Sequence, residues 1–311
     1  NLVQEQPVTT WLQTSGGQLC SEFQGLTPAP VINCRFTQFS IAGQAGPHFN
    51  APANTGPFNF TDCEFHGGKL LSAGPTVNLT NCLLERVYTD LEPKDSPTTT
   101  YMRNCLVLGG AFTFAPTNSF VQDNFFDKVS ITNWNGYTGT NAYYSQASPY
   151  RRLQPTRSDD IVLTASPSYQ AGPLGNYYLL SSSTLINAGF GGTTANQVGL
   201  YHYTVTTNIV SGAQIKETNS IVDAIFHYVA TDTNGVPIDT DGDGLPDYLE
   251  DTNGNSTYQP TIDVCNWESP DTDGDGANDY IELSQGRNPK VSGTQADTGN
   301  AIRLNVFTPL K

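Results

Sequence analysis

Five six-residue segments between residues 31 and 126 share one form. They are Val31-Ile-Asn-Cys-Arg-Phe36, Phe60-Thr-Asp-Cys-Glu-Phe65, Leu79-Thr-Asn-Cys-Leu-Leu84, Met102-Arg-Asn-Cys-Leu-Val107 and Val121-Gln-Asp-Asn-Phe-Phe126. The common pattern is apolar, any, Asn or Asp, Cys, any, apolar, with Asn124 standing for cysteine in the last. Anchor spacings are 29 (34 to 63), 19 (63 to 82), 23 (82 to 105) and 19 (105 to 124). A solenoid coil of three short strands needs about twenty residues and tolerates insertions at its turns. In such a coil the anchor and the residues at +2, −3 and −5 point inward. That set is Cys63, Phe65, Phe60 and Phe58 in one rung and Cys82, Leu84, Leu79 and Val77 in the next. Asn33, Asp62, Asn81, Asn104 and Asp123 fall at a tight bend, where stacked side chains bond the neighbouring bend.

This pattern resembles the right-handed parallel β-helix of secreted, pectate-lyase-like proteins, including its asparagine ladder. Gly175-Asn-Tyr-Tyr-Leu-Leu-Ser-Ser-Ser-Thr-Leu-Ile-Asn-Ala-Gly189 resembles the closing coil of that group, with Thr184-Leu185 replacing the usual Pro-Ala. Ser220-Ile-Val-Asp-Ala-Ile-Phe-His-Tyr228 resembles its final strand, with Ile225 where glycine is usual. The resemblance implies an all-β chain with a β-helix domain over residues 1–230. A two-sheet sandwich is the competing architecture. Residues 133–160 are rich in Asn, Tyr and Gly, break the pattern and are expected to leave the solenoid.

Further on, Asp239-Thr-Asp-Gly-Asp-Gly-Leu-Pro-Asp-Tyr-Leu-Glu250 recurs as Asp271-Thr-Asp-Gly-Asp-Gly-Ala-Asn-Asp-Tyr-Ile-Glu282. A hard cation needs six to eight oxygens at about 2.3–2.6 Å, and alternate residues of a tightly turned loop supply them. The expected calcium ligands of the first loop are Asp239, Asp241, Asp243, the Leu245 carbonyl, Asp247 (directly or through water) and Glu250. Those of the second are Asp271, Asp273, Asp275, the Ala277 carbonyl, Asp279 and Glu282. A third, overlapping site is outlined by Asp251, Asn253 and Asn255, although Ser256 replaces the glycine and Ile262 the last carboxylate. An Asn/Asp-rich turn is an equally good reading of it. Few apolar residues surround the loops, so calcium is expected to act as the folding ligand of residues 231–290.

Tandem Asp-rich loops without long flanking helices resemble thrombospondin type 3 repeats of bacterial surface proteins. The resemblance covers residues 232–290 and implies a rigid extracellular spacer built on calcium, with two ions and a third in doubt.

The net charge of −15, with only 14 basic residues, argues against nucleic acid or an anionic membrane as partner. No apolar run approaches the length of a membrane span. The chain starts at Asn1 without methionine, which reads as a processed product or a piece of a longer protein. Four of six cysteines hold one repeat position, which favours free, stacked thiols over disulfides, while Cys20 and Cys265 have no evident partner. Asn59, Asn78 and Asn255 begin glycosylation sequons. Alternation of Ile302, Leu304 and Val306 marks a terminal strand in the 291–311 tail, with nothing after it to pair with.

Arg151-Arg152-Leu-Gln-Pro-Thr-Arg157 resembles a lyase motif but lacks its companion residues, and reads better as an ion-pair cluster with Asp159 and Asp160. Fold does not decide function, and three readings stand. The first is a non-catalytic extracellular or cell-surface protein, structural or adhesive, that self-associates head to tail through terminal strands or coils. The second is a polysaccharide lyase or hydrolase, and the third a carbohydrate-binding module of a larger surface protein.

Overall fold

The computed structural model describes residues 32–40, 47–51, 57–72, 76–91, 99–114, 119–133, 136–144, 152–205 and 214–293. It divides into two compact units. One comprises Asn1–Pro167, Ala188–Phe190 and Asp223–Phe226, the other Ser168–Asn187, Gly191–Val222 and His227–Lys311.

The first unit is a parallel β-helix. Its first coil holds β1 (Ile32–Arg35), β2 (Gln38–Ser40) and β3 (Pro47–Ala51), and its second β4 (Phe58–Thr61), β5 (Glu64–His66) and β6 (Lys69–Ser72). Then come β7 (Val77–Thr80), β8 (Leu83–Glu85) and β9 (Tyr88–Leu91), followed by β10 (Thr100–Arg103), β11 (Leu106–Leu108) and β12 (Ala111–Phe114). The next coil is β13 (Ser119–Gln122), β14 (Phe125–Asp127) and β15 (Ser130–Asn133). Strands β16 (Tyr137–Thr138), β17 (Ala142–Tyr144) and β18 (Ile161–Val162) extend the stack. Three parallel sheets result, ordered β1-β4-β7-β10-β13-β16, β2-β5-β8-β11-β14-β17-β18 and β3-β6-β9-β12-β15.

The inward rows explain the repeat. Phe58, Phe60, Cys63 and Phe65 are buried, as are Val77, Leu79, Cys82 and Leu84, and each large apolar side chain so buried contributes about 1.5–3 kcal/mol. Phe39 stacks on Phe65 at 4.8 Å and Phe126 on Tyr143 at 5.4 Å, ring on ring along the axis. The anchor row repeats one polar arrangement, in which each thiol lies between the carbonyl two residues before it (Thr61, Thr80 and Arg103, at 3.2, 3.3 and 3.2 Å) and a carbonyl one coil back. The Sγ of Cys63, Cys82 and Cys105 donates to the carbonyls of Cys34, Phe60 and Leu79 at 3.4, 3.3 and 3.5 Å. Asn124 and Asn141 Nδ2 do the same toward Met102 and Val121, at 3.1 and 2.7 Å. Cysteine and asparagine interchange there because both are small donors aimed at a buried carbonyl, whose loss of a partner is costly. All five described cysteines are free and buried.

Asp62, Asn81, Asn104 and Asp123 occupy the bend in left-handed conformation, with φ of 56°, 50°, 50° and 58°. Asn81 Nδ2 donates to Asp62 Oδ1 at 2.9 Å, and Arg103 pairs with Asp123 at 2.9 Å. Asn33 does not join them. Cys34 pairs with Phe60 and Asn33 with Asn59, so Phe36 (φ 48°) takes the bend and Thr37 the buried anchor. Pairing of whole strands sets that register, and it outranks the local Asn-Cys dipeptide. Asn33 instead starts a ladder on the sheet's other face, where Asn59 Nδ2 donates to Asn33 Oδ1 at 2.6 Å and Asn78 Nδ2 to Asn59 Oδ1 at 2.7 Å. Two sequon amides are thereby engaged.

Two further expectations change. Residues 137–144 remain in the solenoid as β16 and β17, with Asn141 in the anchor row; Asn141 N–H in turn donates to Asp160 Oδ1 at 3.2 Å. Segments 175–189 and 220–228 add no coil: among the described residues they contribute turns and isolated antiparallel bridges such as Gln170–Tyr178 and Thr194–Ile221. The terminal strand read over 301–310 lies outside the described residues, as does Cys20.

Candidate metal centre

Residues 239–250 (loop 1), 271–282 (loop 2) and 251–263 (loop 3) share one backbone scheme. In loop 1, Asp239 accepts from the N–H groups of Gly242 and Gly244 at 2.7 and 2.9 Å. Asp241 accepts from Asp243 N–H at 3.2 Å and Asp243 from Leu245 N–H at 2.7 Å. Loop 2 repeats each bond, from Gly274 and Gly276 to Asp271 (both 2.8 Å), Asp275 to Asp273 (3.1 Å) and Ala277 to Asp275 (2.9 Å). Loop 3 repeats them again, from Gly254 and Ser256 to Asp251 (2.9 and 2.8 Å), Asn255 to Asn253 (3.1 Å) and Thr257 to Asn255 (2.9 Å). The turn needs left-handed backbone at its fourth and sixth residues. Gly242 and Gly244 supply φ of 77° and 101°, Gly274 and Gly276 74° and 96°, and Gly254 and Ser256 64° and 62°.

The ninth residue braces each acidic loop. Asp247 accepts from Thr240 N–H and Oγ1, both at 2.6 Å, and Asp279 from Thr272 N–H and Oγ1 at 2.9 and 2.6 Å. In loop 3 Asp263 does this for Thr252 N–H at 3.1 Å. These residues open helix α1 (Asp247–Glu250) and helix α2 (Asp279–Ser284), which carry Glu250 and Glu282 back over their own loops. A small apolar cluster of Leu245, Cys265 and Leu283, with Leu249 and Val264 against it, lies among the loops. Loops 1 and 2 are joined directly, because Asp243 Oδ2 accepts from Tyr280 N–H at 2.9 Å and its carbonyl from Asn278 Nδ2 at 3.0 Å.

The oxygens left over decide what the loops can hold. Carboxylate oxygens of Asp239, Asp241 and Asp243 lie within 4.8 Å of one another, as do those of Asp271, Asp273 and Asp275. Asp241 Oδ2, Asp273 Oδ2, Glu250 Oε2 and both Glu282 oxygens are buried without a hydrogen bond. Burial, reinforced by the charges of Asp241 and Asp243, pushes the Glu250 carboxyl up to about 9. Burial and the neighbouring Asp243 and Asp239 charges bring Asp241 to about 6, and burial with Asp273 brings Glu282 to about 7. Converging carboxylates with unused oxygens call for a positive charge, and an all-oxygen donor set fits a hard divalent cation such as calcium.

Several neighbours of the loops were not legible locally. His202 Nε2 donates to Asp251 Oδ2 at 2.8 Å, a contact spanning 49 residues. Lys216 Nζ stands 2.5 Å from Asp247 Oδ2 and 4.9 Å over the Trp267 ring. Arg287 pairs with Asp275 and Glu282 at 2.9 and 3.0 Å. Cys265 Sγ donates to Glu250 Oε1 at 3.4 Å, and burial pushes that thiol far up. Elsewhere, Arg152 and Arg157 pair with Asp160 and Asp159, each at 3.6 Å. No helix among the described residues is long and apolar enough to cross a membrane.

Residues 239–254 and 271–291 match the family model described as bacterial TSP3 repeat. Such repeats bind calcium and are typical of extracellular proteins. No curated protein and no solved structure matches the chain.

Proposed function

We propose that this chain is a calcium-stabilised structural or adhesive protein of the extracellular space or cell surface. One calcium ion is held by Asp239, Asp241, Asp243, the Leu245 carbonyl and Glu250, and a second by Asp271, Asp273, Asp275, the Ala277 carbonyl and Glu282. Asp247 and Asp279 brace the loops from behind. The parallel coils of the domain read over residues 1–230 serve as the rigid body, 231–290 as the calcium region, and the 291–311 tail as the segment that joins copies head to tail. The single observation that carries the calcium reading is the pair of closing glutamates, buried over converging aspartates, each with an oxygen, Glu250 Oε2 and Glu282 Oε2, that accepts no hydrogen bond. Bound calcium neutralises the repulsion and ties both helices to their loops, so the ion stabilises a region with a very small apolar core.

Limited proteolysis tests this. With calcium, residues 231–290 should resist cleavage; with excess EDTA, or in Asp243→Ala, cleavage should concentrate there. Unchanged resistance in EDTA would rule the calcium reading out.

A further inference from the structure

We infer that the three loops form a graded series set by cations and donors built into the chain: loop 1 binds calcium freely, loop 2 binds it in competition with Arg287, and loop 3 binds none. The inference rests on the calcium reading above and adds which sites fill, and in what order.

Loop 1 meets no basic side chain at its first, third, fifth or twelfth position among the contacts described. The outer oxygen of Asp243 is taken by a neutral donor, the Tyr280 N–H, at 2.9 Å. The matching oxygen of Asp275 in loop 2 is taken by Arg287 Nη2 at 2.9 Å and by Gly293 N–H at 2.8 Å. The same Arg287 nitrogen lies 3.0 Å from Glu282 Oε1 and donates to the Gly293 carbonyl at 2.6 Å. Two expected ligands of loop 2, one of them its closing glutamate, are therefore already neutralised by a guanidinium. Calcium entering loop 2 must displace that pairing, whereas in loop 1 the neighbouring cation, Lys216, sits on the bracing Asp247 at 2.5 Å and leaves Asp239, Asp241, Asp243 and Glu250 without one among the contacts described.

Loop 3 keeps the backbone scheme and loses the charge. Its first carboxylate is occupied by His202 Nε2 at 2.8 Å. Its third and fifth positions are amides whose nitrogens both donate to Gln259 Oε1, Asn253 at 2.7 Å and Asn255 at 3.1 Å. Those nitrogens sit where a cation requires oxygen. No carboxylate closes the loop, because Asp263 accepts from Thr252 N–H at 3.1 Å and Gln259 N–H at 2.6 Å. Backbone contacts secure it instead: Gly254 packs so tightly on Gly199 that an added Cβ would lie 2.3 Å from its carbonyl oxygen. Lys290 Nζ clamps the carbonyls of Pro260 and Asp263 at 2.8 and 2.6 Å. Gln259 and His202 thus do for loop 3 what calcium does for the other two.

The test is calorimetric titration of the full chain, stripped of metal, with calcium alone. Wild type should take up two ions in two resolved steps. Asp243→Asn should remove the tighter step and Asp273→Asn the weaker one. Arg287→Gln should strengthen the weaker step about tenfold, the scale of one ion pair removed, while Arg287→Lys stays near wild type. Asp251→Asn should leave two ions bound. A third ion, two indistinguishable sites, or a weaker step unmoved by Arg287→Gln would overturn the grading and leave calcium binding standing. If Arg287→Gln does not fold, the wild-type isotherm decides by the same criteria. Absence of any calcium uptake would overturn both this inference and the proposed function.

Discussion

His66 stands between two carboxylates on the outer face of β5, with Nε2 2.9 Å from Glu64 and Nδ1 2.8 Å from Glu85 on the next coil. Burial pulls its pKa down, but the two glutamates outweigh burial and raise it above the ordinary 6.5. The folded state therefore holds the proton more tightly than the unfolded chain. That stabilisation is complete below pH 6.5 and is lost as pH rises through the folded value. It amounts to about 1 kcal/mol for a partly exposed pair. Urea unfolding of wild type against His66→Gln should show a gap that is full below pH 6.5 and closes as pH rises through the raised folded-state value. A gap independent of pH would mean that His66 contributes only packing. The cysteines of the anchor row are free and buried, as their shared repeat position implies, and their thiols also reach carbonyls one coil back. Asn124 shares their position and makes the same contact through its amide.

Each coil turns sharply after its second strand, and the columns of that turn show what the backbone demands. Gly67, Arg86, Gly109 and Lys128 occupy one column with φ of 67°, 57°, 65° and 58°. Side chains are tolerated there, since an added Cβ at Gly109 meets nothing closer than Arg86 Cγ at 3.7 Å. Gly110 is different: its φ is 72° and its Cβ would lie 2.2 Å from the Val87 carbonyl oxygen. Gly109→Ala should cost about 1 kcal/mol and Gly110→Ala about 3 kcal/mol or more, read from urea midpoints of the solenoid. Equal costs would show that φ alone matters. The three Asp-rich loops obey similar rules, and Ser256 shows that the sixth position bears a side chain when its N–H is held by Asp251.

On the scale of the whole chain, the proposed calcium ligands lie in one compact unit and the coils in the other. Calcium at a hundred times its dissociation constant adds about 2.7 kcal/mol per site to the unit that binds it. Scanning calorimetry should therefore show a transition that moves up with calcium and down with EDTA, and a second, from the solenoid, that stays in place. A single transition that shifts as one would show that the units unfold together.

Short spacing was enough for the sequence to determine two things. Carboxylates alternating around glycines prescribe the tightly turned acidic loop because its acceptors and its turn lie within twelve residues. A coil-length repeat of inward apolar side chains prescribes a parallel stack because each coil buries its face only against the next. Tertiary structure alone decided the rest. The register of the first coil followed from pairing of β1 with β4, which moved Asn33 out of the bend and Phe36 into it. Continuation of the solenoid through Asn141 and Asp160 followed from hydrogen bonds between coils that no local pattern displays. Arg287 reaches Asp275 across a helix end, and His202 reaches Asp251 across 49 residues. Charge balance in a loop depends on whatever the fold brings beside it, and chain distance carries no record of that.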